Sequence, residues 1–309
     1  MFSFARRMQK GGLVAVGLQP GRVQCARFAH GNGMPCLDLW LDEPAQASRL
    51  LSLQQLAKQH GLKAMRCSSL LAPSDYRLLQ TEAPAVPDEE AREALRWQLR
   101  DQVDLPVESA VIDFLPLPDA SNGSRPRQIF AALAADTVIG PMVQDFQQAA
   151  LALQVIDLPE MAQRNIAALF EAENRGLAFL AFGENSALLT FNFQGELFAL
   201  RRIEIGAAQF AGATAERREQ LAERVVLEMQ RSMDTVDRQF SGISLSRLMV
   251  ALPPESGLEA HFANAFYLPF EPVDLTGVLD LSACPALLEP DSQRQALWVL
   301  GAALRREEG

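Results

Sequence analysis

Long apolar runs are missing from this 309-residue chain. A membrane-spanning helix needs about 20 consecutive apolar residues, and no stretch of the sequence approaches that length. The chain is 49% hydrophobic and 21% charged, which is typical of a soluble globular protein. Because one small core does not usually accommodate a chain of this length, we expect two domains.

Metal-binding and disulfide patterns are also missing. The four cysteines have no C-x-x-C spacing, and with only three histidines they form no recognisable metal motif. We interpret the cysteines as small apolar residues or isolated thiols. They are Cys25, Cys36, Cys67 and Cys284.

An excess of positive charge is lacking as well, since the net charge is −10. The three Trp and two Tyr residues are scattered and not interleaved with basic residues. Both observations argue against nucleic-acid binding. Met1–Val16 imitates a signal peptide, but its apolar stretch is too short and no small-residue cleavage site follows. We expect a cytoplasmic protein, in which Arg6, Arg7 and Lys10 favour an anionic membrane surface only weakly.

The first half of the chain predicts a mixed sheet with packed helices. Leu13–Val16, Val23–Phe28 and Cys36–Leu41 alternate with turn residues and predict a three-stranded meander. Leucine spacing predicts a helix over Ala45–Gly61, and a strand over Lys63–Leu70 follows. The order βββαβ suits a sheet covered by helices.

A second unit follows Pro73–Pro87. Asp88 is the predicted N-cap of an amphipathic helix that ends near Pro106. Further along, the pattern predicts strands at Val111–Leu117, Gln128–Ala135 and Gln154–Leu158, helices at Thr137–Ala152 and Pro159–Glu173, and a polar loop at Pro118–Arg127.

The second half repeats this order. Strands are predicted at Leu177–Phe182, Ala187–Phe193, Glu196–Ile205, Leu245–Leu252 and Phe270–Leu275, and helices at Ala215–Phe240, Leu258–Phe266 and Ser292–Arg305. The apolar stripe of Ala215–Phe240 is interpreted as core, with a partner-binding groove as the alternative. A duplicated α/β domain with a cleft between its halves is the expected architecture.

Each half contains a strand hairpin with a glycine that would suit close approach of an anion. Mg²⁺-assisted phosphoryl transfer also needs carboxylates. Neither hairpin has one ahead of its glycine: Ala15 precedes Gly17, and Ala181 and Phe182 precede Gly183. The sequence therefore indicates a nucleotide-binding type of scaffold without nucleotide chemistry.

The chain resembles the PilM-like proteins of type IV pilus assembly. The matching stretches are LLAPSDYRLLQTEAPAV, PDEEAREALRWQLRDQVDLPVESAVIDFLPL and RQIFAALAADTVIGPMVQDFQQAALALQVIDLPEMAQRNIAAL. The likeness is strongest from Leu70 to Leu169 and weak after Ser241, and QVIDLPE contributes part of its specificity. Within the family, the pattern is closest to the MshI proteins of the mannose-sensitive haemagglutinin (MSHA) pilus.

The resemblance implies an actin-like fold of the actin/Hsp70/sugar-kinase type, an α/β fold of mixed sheets with two domains, subdomains and a central cleft. It implies domain I over residues 1–174, with an inserted subdomain at about 72–135, and domain II over 175–291. Residues 292–309 would form a C-terminal helix that packs back on domain I.

Nucleotide-binding members carry Asp-x-Gly at two turns, a lysine after the first, and Gly-Gly after the adenosine strand. Here Ala15 and Ala181 occupy the acid positions and Gln24 the lysine position. Pro253-Pro254 stands for the diglycine, and proline supplies no N–H. The resemblance thus implies that Gly17 and Gly183 are remnants of phosphate loops, with no catalytic or metal residues.

The function implied is a non-enzymatic scaffold at the cytoplasmic face of the inner membrane. It would bind the N-terminal cytoplasmic tail of a PilN-like bitopic protein, with the assembly ATPase as a further partner. A tail groove is expected within domain I, between Leu70–Leu79 and Asp88–Val103. No cofactor is expected, although backbone groups alone could still bind ATP weakly.

Two alternatives stay open. The cytoplasmic domain of type II secretion protein L also looks actin-like, but such proteins continue into a membrane helix, so this hypothesis requires a fragment of a longer chain. An actin-like ATPase or sugar kinase would instead show Mg²⁺-dependent ATP turnover.

Overall fold

The computed structural model describes residues 12–29, 33–118 and 127–305. The strands are β1 Val14–Gln19, β2 Arg22–Ala29, β3 Cys36–Pro44, β4 Arg66–Leu70, β5 Tyr76–Glu82, β6 Ala110–Pro116, β7 Gln128–Ala135, β8 Ala152–Asp157, β9 Gly176–Phe182, β10 Ala187–Phe193, β11 Glu196–Ile203, β12 Leu245–Ala251 and β13 Phe270–Pro272. The helices are α1 Arg49–Gln59, α2 Asp88–Gln98, α3 Asp136–Gln148, α4 Pro159–Ala167, α5 Ala207–Phe210, α6 Ala215–Gln239, α7 Leu258–Ala265 and α8 Pro290–Ala303. The predicted basic residues Arg6, Arg7 and Lys10 and most of the predicted loop Pro118–Arg127 lie outside the described residues.

Two five-stranded sheets share one topology. The first has the order β3-β2-β1-β4-β8 and the second the order β11-β10-β9-β12-β13. In each, an antiparallel meander is followed by two strands that run parallel to its first strand. Helix α1 follows the first meander and α5 and α6 follow the second. The predicted duplication is confirmed at the level of topology.

Helix α6 covers the second sheet and agrees with its prediction to within one residue. Thr214 caps its N-terminus, because its Oγ1 accepts the Arg217 N–H at 3.2 Å. The apolar stripe of the helix packs against Leu180, Phe182 and Phe198 of the sheet, which supports the core interpretation. The buried stripe consists of Leu221, Val225, Met229, Met233 and Val236.

A third, antiparallel sheet of order β5-β7-β6 is inserted between β4 and α3. Helix α2 packs on one face through Leu95 and Leu99, which share a core with Leu133. On the other face Phe130 packs with Leu197 of β11. The inserted sheet therefore contacts the second half of the chain, while the predicted domain boundaries stay a prediction.

The predicted helix that begins at Asp88 needs two corrections. Pro87 is the N-cap, and Asp88 is the first helical residue, so its carboxylate complements the helix dipole rather than capping it. The helix also ends at Gln98 and not near Pro106. The Gln98 side chain donates to Thr81 Oγ1 at 2.9 Å and to Glu82 O at 3.0 Å, and this anchors the end of the helix on β5.

Helices α4 and α8 are in close contact and share one apolar cluster with strands of both five-stranded sheets. A Cβ atom at Gly301 would lie only 2.0 Å from the carbonyl oxygen of Ala162. Asn165 Nδ2 also donates to Gly301 O at 2.9 Å. Glycine is thus required at this contact, and the close approach places α8 against β1 and β2.

Candidate functional site

Gly17, the first predicted remnant of a phosphate loop, lies on β1 opposite Gln24 of β2. A Cβ atom at Gly17 would lie 2.4 Å from Val299 Cγ2 of α8, far inside van der Waals contact. The absence of a side chain at Gly17 therefore makes room for an apolar helix. Close packing of α8 gives a sufficient physical reason for this glycine.

Gly183 has the same kind of neighbour at the end of β9. Its N–H donates to Ser186 O at 2.9 Å and closes the turn. A Cβ atom at this position would lie 2.6 Å from Trp298 Cη2. Trp298 Nε1 in turn donates to Gln163 Oε1 at 3.1 Å, so the indole ring is held in place against the turn. Two successive residues of α8, Trp298 and Val299, thus cover the two glycines.

The predicted acid positions lie in the apolar core beneath α8. Ala15 is fully buried and Ala181 is 2% exposed, and both belong to one apolar cluster with Leu297 and Val299. A carboxylate at either position would be buried beside methyl groups. These positions do not fit a Mg²⁺-bound nucleotide, because they offer the metal no oxygen ligand.

Gln24, which occupies the predicted lysine position, is 1% exposed. Its Nε2 donates to Asp42 Oδ2 at 3.3 Å, and Arg22 Nε donates to Asp42 Oδ1 at 2.6 Å. Arg22 also donates to Gln295 of α8. No sequence pattern places Asp42 beside Gln24; in the structure it lies opposite Gln24 on β3, and its carboxylate is neutralised by Arg22, which also contacts α8.

Arg294 ties α8 to the second hairpin. Its Nη1 donates to Phe182 O at 2.8 Å, and its Nε donates to Asp291 Oδ1 at 2.7 Å. The arginine is 9% exposed, so its charge is carried into the interior with a paired carboxylate. Both hairpins are therefore bound to α8 by polar contacts as well as by packing.

Two consecutive prolines, Pro253 and Pro254, follow β12. Strand β12 ends at Ala251, Pro253 is buried, and Glu255 adopts a positive φ of 52°. Neither Pro253 nor Pro254 can donate an N–H to a ligand. This segment therefore cannot reproduce the backbone contacts of a diglycine.

A buried polar cluster lies where the inserted sheet, α4 and β11 meet. Glu160 of α4 is 2% exposed, and its Oε2 accepts the hydroxyl of Tyr76 at 2.5 Å. Arg202 of β11 donates to Glu160 Oε1 and, at 3.1 Å, to the Tyr76 oxygen. Burial and the neighbouring Glu160 raise the pKa of Tyr76 well above its usual value, although Arg202 opposes this.

The expected tail groove between Leu70–Leu79 and Asp88–Val103 is filled in the structure. Leu79 of β5 shares an apolar cluster with Leu95 and Leu99, so helix and strand are in contact. An open cavity of about 440 Å³ lies instead between β5, β11 and α6, where Leu78, Leu79 and Gln80 form one wall. This cavity lies next to the sheet β11-β10-β9-β12-β13.

No helix in residues 12–29, 33–118 or 127–305 is both long and apolar enough to cross a bilayer. Within the same ranges no group of three or more His, Cys, Asp or Glu side chains is arranged to hold a metal ion.

No protein-family model and no curated protein matches this chain in sequence. Solved structures do match. A chain of the "PilM-PilN type IV pilus biogenesis complex" superposes with a TM-score of 0.75 at 18% identity, covering 96% of this chain and 98% of that one. The fold is actin-like. This confirms the fold expected from the resemblance, and the match extends over nearly the full length of both chains.

Two further structures support the actin-like assignment. A protein of Bacteroides thetaiotaomicron described as having an actin-like ATPase fold and unknown function gives a TM-score of 0.53 at 9% identity, covering 93% of this chain and 98% of that one. The cytoplasmic domain of EpsL, an inner-membrane component of the type II secretion system of Vibrio cholerae, gives 0.51 at 15% identity, covering 87% and 93%. At these identities the likeness concerns the fold.

Proposed function

We propose that this chain is a non-enzymatic scaffold of type IV pilus biogenesis, of the MSHA type served by MshI proteins. The observation that carries the proposal is the full-length match to the PilM–PilN complex, with 96% and 98% of the two chains covered. The partner would be the N-terminal cytoplasmic tail of a PilN-like bitopic inner-membrane protein. The scaffold would lie in the cytoplasm, peripheral to the inner membrane through that partner.

The packing of α8 supports the non-enzymatic part of the proposal. Trp298 and Val299 cover Gly183 and Gly17, and the acid positions are the buried Ala15 and Ala181. A bound metal–nucleotide complex needs carboxylate ligands and open space at these positions. A two-domain protein without turnover would suit a role of holding others in place, including the pilus assembly ATPase as a further partner.

A direct binding measurement tests the partner. A fluorescent synthetic peptide with the sequence of the PilN-like tail is titrated with the protein at low salt, beside a scrambled peptide of equal composition. We expect saturable binding of the native tail and at least tenfold weaker binding of the scrambled one. Equal binding of the two peptides, or none, would contradict the proposal.

Nucleotide binding is tested separately. Melting temperatures are compared with and without millimolar Mg·ATP, and phosphate release is followed with and without Mg²⁺. A ligand at 100 times its Kd would add about 2.7 kcal/mol of stability. We expect no shift and no turnover; a clear shift with turnover would favour an actin-like ATPase. Valine substitutions of Gly17 and Gly183 are unsuitable here, because they would clash with α8.

The likeness to the EpsL cytoplasmic domain favours a second candidate, a scaffold of a type II secretion system. Gene deletion separates the two. Loss of surface pili with intact protein secretion would support the pilus scaffold, and loss of secretion with intact pili would support the alternative.

A further inference from the structure

Two adjoining cavities form one groove, here called the β5–β11 groove. The first, of about 440 Å³, lies between β5, β11 and α6 and is lined by Leu78, Phe130 and Leu200. The second, of about 400 Å³, continues along β11 and α6. Arg201, Glu228 and Arg231 line both, so the cavities are continuous.

Both strands of this groove are edge strands. β5 ends the sheet β5-β7-β6, and β11 ends the sheet β11-β10-β9-β12-β13. Three successive residues of each strand line the cavity, residues 78–80 of β5 and 199–201 of β11. The main chain of each strand therefore borders the groove, because consecutive side chains point to opposite faces of a sheet.

The hydrogen-bond pattern of β5 shows which of its backbone groups face outward. The Ala83 N–H donates to Arg127 O at 2.8 Å. In an antiparallel pair the backbone N–H and C=O groups of alternate residues face the partner strand, so those of Ala83 and of every second residue before it face β7. The backbone N–H and C=O groups of the residues between them point away from β7. Consistent with this, side chains reach the outward carbonyls at both ends: Arg77 Nη1 donates to Tyr76 O at 3.0 Å, and Gln98 Nε2 to Glu82 O at 3.0 Å.

Leu78 and Gln80 lie between those two ends. Within the part of the chain that the structure describes, β5 pairs with β7 alone, so the outward N–H and C=O of both residues have no ladder partner. An edge of this kind is a template for an added strand. The half-buried Leu78 and Leu200 and the buried Phe130 offer apolar contact beside it.

The β5–β11 groove has more arginines than carboxylates, which favours an acidic ligand. Arg201, Arg202, Arg224 and Arg231 line it against Glu204 and Glu228, in a chain whose net charge is −10. Arg202 is paired with the buried Glu160. The side chains of Arg201 and Arg231 are 56% and 66% exposed. Both form ion pairs with Glu228, with N–O distances of 2.9 Å for Arg201 and 3.3 Å for Arg231. Carboxylates of a ligand would meet them readily.

We propose that the β5–β11 groove binds an extended, acidic segment of a partner protein by strand addition to β5. The segment would pair with the backbone of Leu78 and Gln80, place apolar side chains on Phe130 and Leu200, and direct carboxylates to the exposed arginines. This inference does not depend on the PilN-like tail, since it follows from the groove alone.

The probe is a fluorescent eight-residue peptide that alternates valine and glutamate, compared with one that alternates valine and lysine. We expect saturable binding of the acidic peptide, weakened by raising the salt concentration, and at least tenfold weaker binding of the basic one. The Arg201→Glu/Arg231→Glu variant should lose at least tenfold in affinity for the acidic peptide. No saturable binding, or equal binding of both peptides, would overturn the proposal.

The matched control reverses two exposed arginines elsewhere, Arg92→Glu/Arg100→Glu, and should change the affinity less than twofold. Strand addition is tested on the peptide itself. N-methylation of one alternate set of amides should reduce affinity at least tenfold, and of the other set less than threefold, because a strand pairs through one edge. Equal effects of the two sets, or an equal loss in the control variant, would refute strand addition at this site.

Gln80→Pro supplies an independent check on the protein side. Proline is tolerated where an edge N–H is free, and it removes the donor that the added strand needs. The melting temperature confirms that the variant folds, and its affinity for the acidic peptide should fall at least tenfold. Unchanged affinity in a folded variant would contradict pairing at Gln80.

Discussion

The phenol of Tyr76 donates a 2.5 Å hydrogen bond to the carboxylate of Glu160, 84 residues away in the chain. Tyr76 belongs to the inserted sheet and Glu160 to helix α4, and Arg202 joins them from β11. This cluster connects three parts of the fold at a buried point. The three side chains should therefore stabilise the placement of β5, α4 and β11 relative to one another.

Removal of Arg202 should be costly. Arg202→Met would leave the carboxylate of Glu160 buried without its cation, and such a loss costs about 3–5 kcal/mol. Tyr76→Phe, which removes one hydrogen bond, should cost about 1–3 kcal/mol. Urea unfolding measures both. Arg92→Met breaks an ion pair whose side chains are 57% and 69% exposed and should cost less than about 1 kcal/mol. If Arg202→Met lowers the free energy of unfolding no more than Arg92→Met does, Arg202 does not stabilise the buried cluster in the way described.

Gly17 and Gly183 should be intolerant of a methyl group. Gly17→Ala and Gly183→Ala would press on Val299 and Trp298, and overpacking of this kind costs about 1–3 kcal/mol. Thermal or urea unfolding measures the loss. Gly33→Ala is the control, because a Cβ atom there meets nothing within 4 Å.

A double-mutant cycle assigns the clash to its partner. In the Val299→Ala background, Gly17→Ala should cost less than in the wild-type chain, since Val299 Cγ2 is gone. If the cost is the same in both backgrounds, Val299 is not the cause of the glycine requirement.

The four thiols should fall into two classes. Burial raises the pKa of Cys67 to about 12 and that of Cys25 further. Cys36 and Cys284 are half-buried, and their pKa values are raised by a hydrogen bond to Asp280 and by burial, respectively. Because the thiolate is the reactive form, a disulfide reagent at pH 8 should modify two thiols in the native protein. The other two should react only after denaturation.

The Cys36→Ser/Cys284→Ser variant identifies the reactive pair. Its native form should show almost no reaction, while the denatured form still gives two equivalents. Rapid modification of this native variant would show that Cys25 or Cys67 is accessible.

Glu171 should make stability depend on pH. Burial raises the pKa of its carboxyl above the ordinary value of 4.5, although the Gly195 N–H, donated to Oε2 at 2.8 Å, opposes this. The folded state then holds the proton more tightly than the unfolded state. Stability is therefore lost as pH rises from 4.5 through the raised pKa.

Glu171→Gln keeps the acceptor for Gly195 and removes the charge, so it should be more stable than wild type at pH 7. The difference should shrink as pH falls below 4.5. Urea unfolding at pH 7 and pH 4 measures it. Glu173→Gln, at an exposed neighbouring position, should show no such trend. A variant that is less stable than wild type at pH 7 would rule this account out.

The sequence predicted most of what local patterns control. The meander strands of both halves are predicted by the alternation of apolar residues and turn residues, and α6 is predicted by the three-to-four-residue spacing of its apolar stripe. For β5 the sequence indicates only a strand region over Leu70–Leu79, with bounds that differ from Tyr76–Glu82, because YRLLQTE lacks clear alternation. The end of α2 depends on the contact of Gln98 with β5, which no local pattern shows.

The candidate site is harder to predict, because the role of each of its residues depends on contacts with residues far away in the sequence. In sequence, a glycine within or directly after a strand looks the same whether it faces a phosphate or a side chain of α8, and only the placement of α8 distinguishes the two. The contact of Arg202 with Tyr76 joins residues 126 positions apart, and the β5–β11 groove exists only once two sheets are packed.

The position of α8 also affects how the protein is made. Arg22 and Gln295, which hold β2 to α8, are 273 residues apart. At roughly 5–20 residues per second, a ribosome needs about 15–55 s to synthesise the chain between them. During that interval the face of β1 and β2 that α8 covers is without its partner helix. Nascent chains should accordingly depend on a chaperone more than the size of each half would suggest.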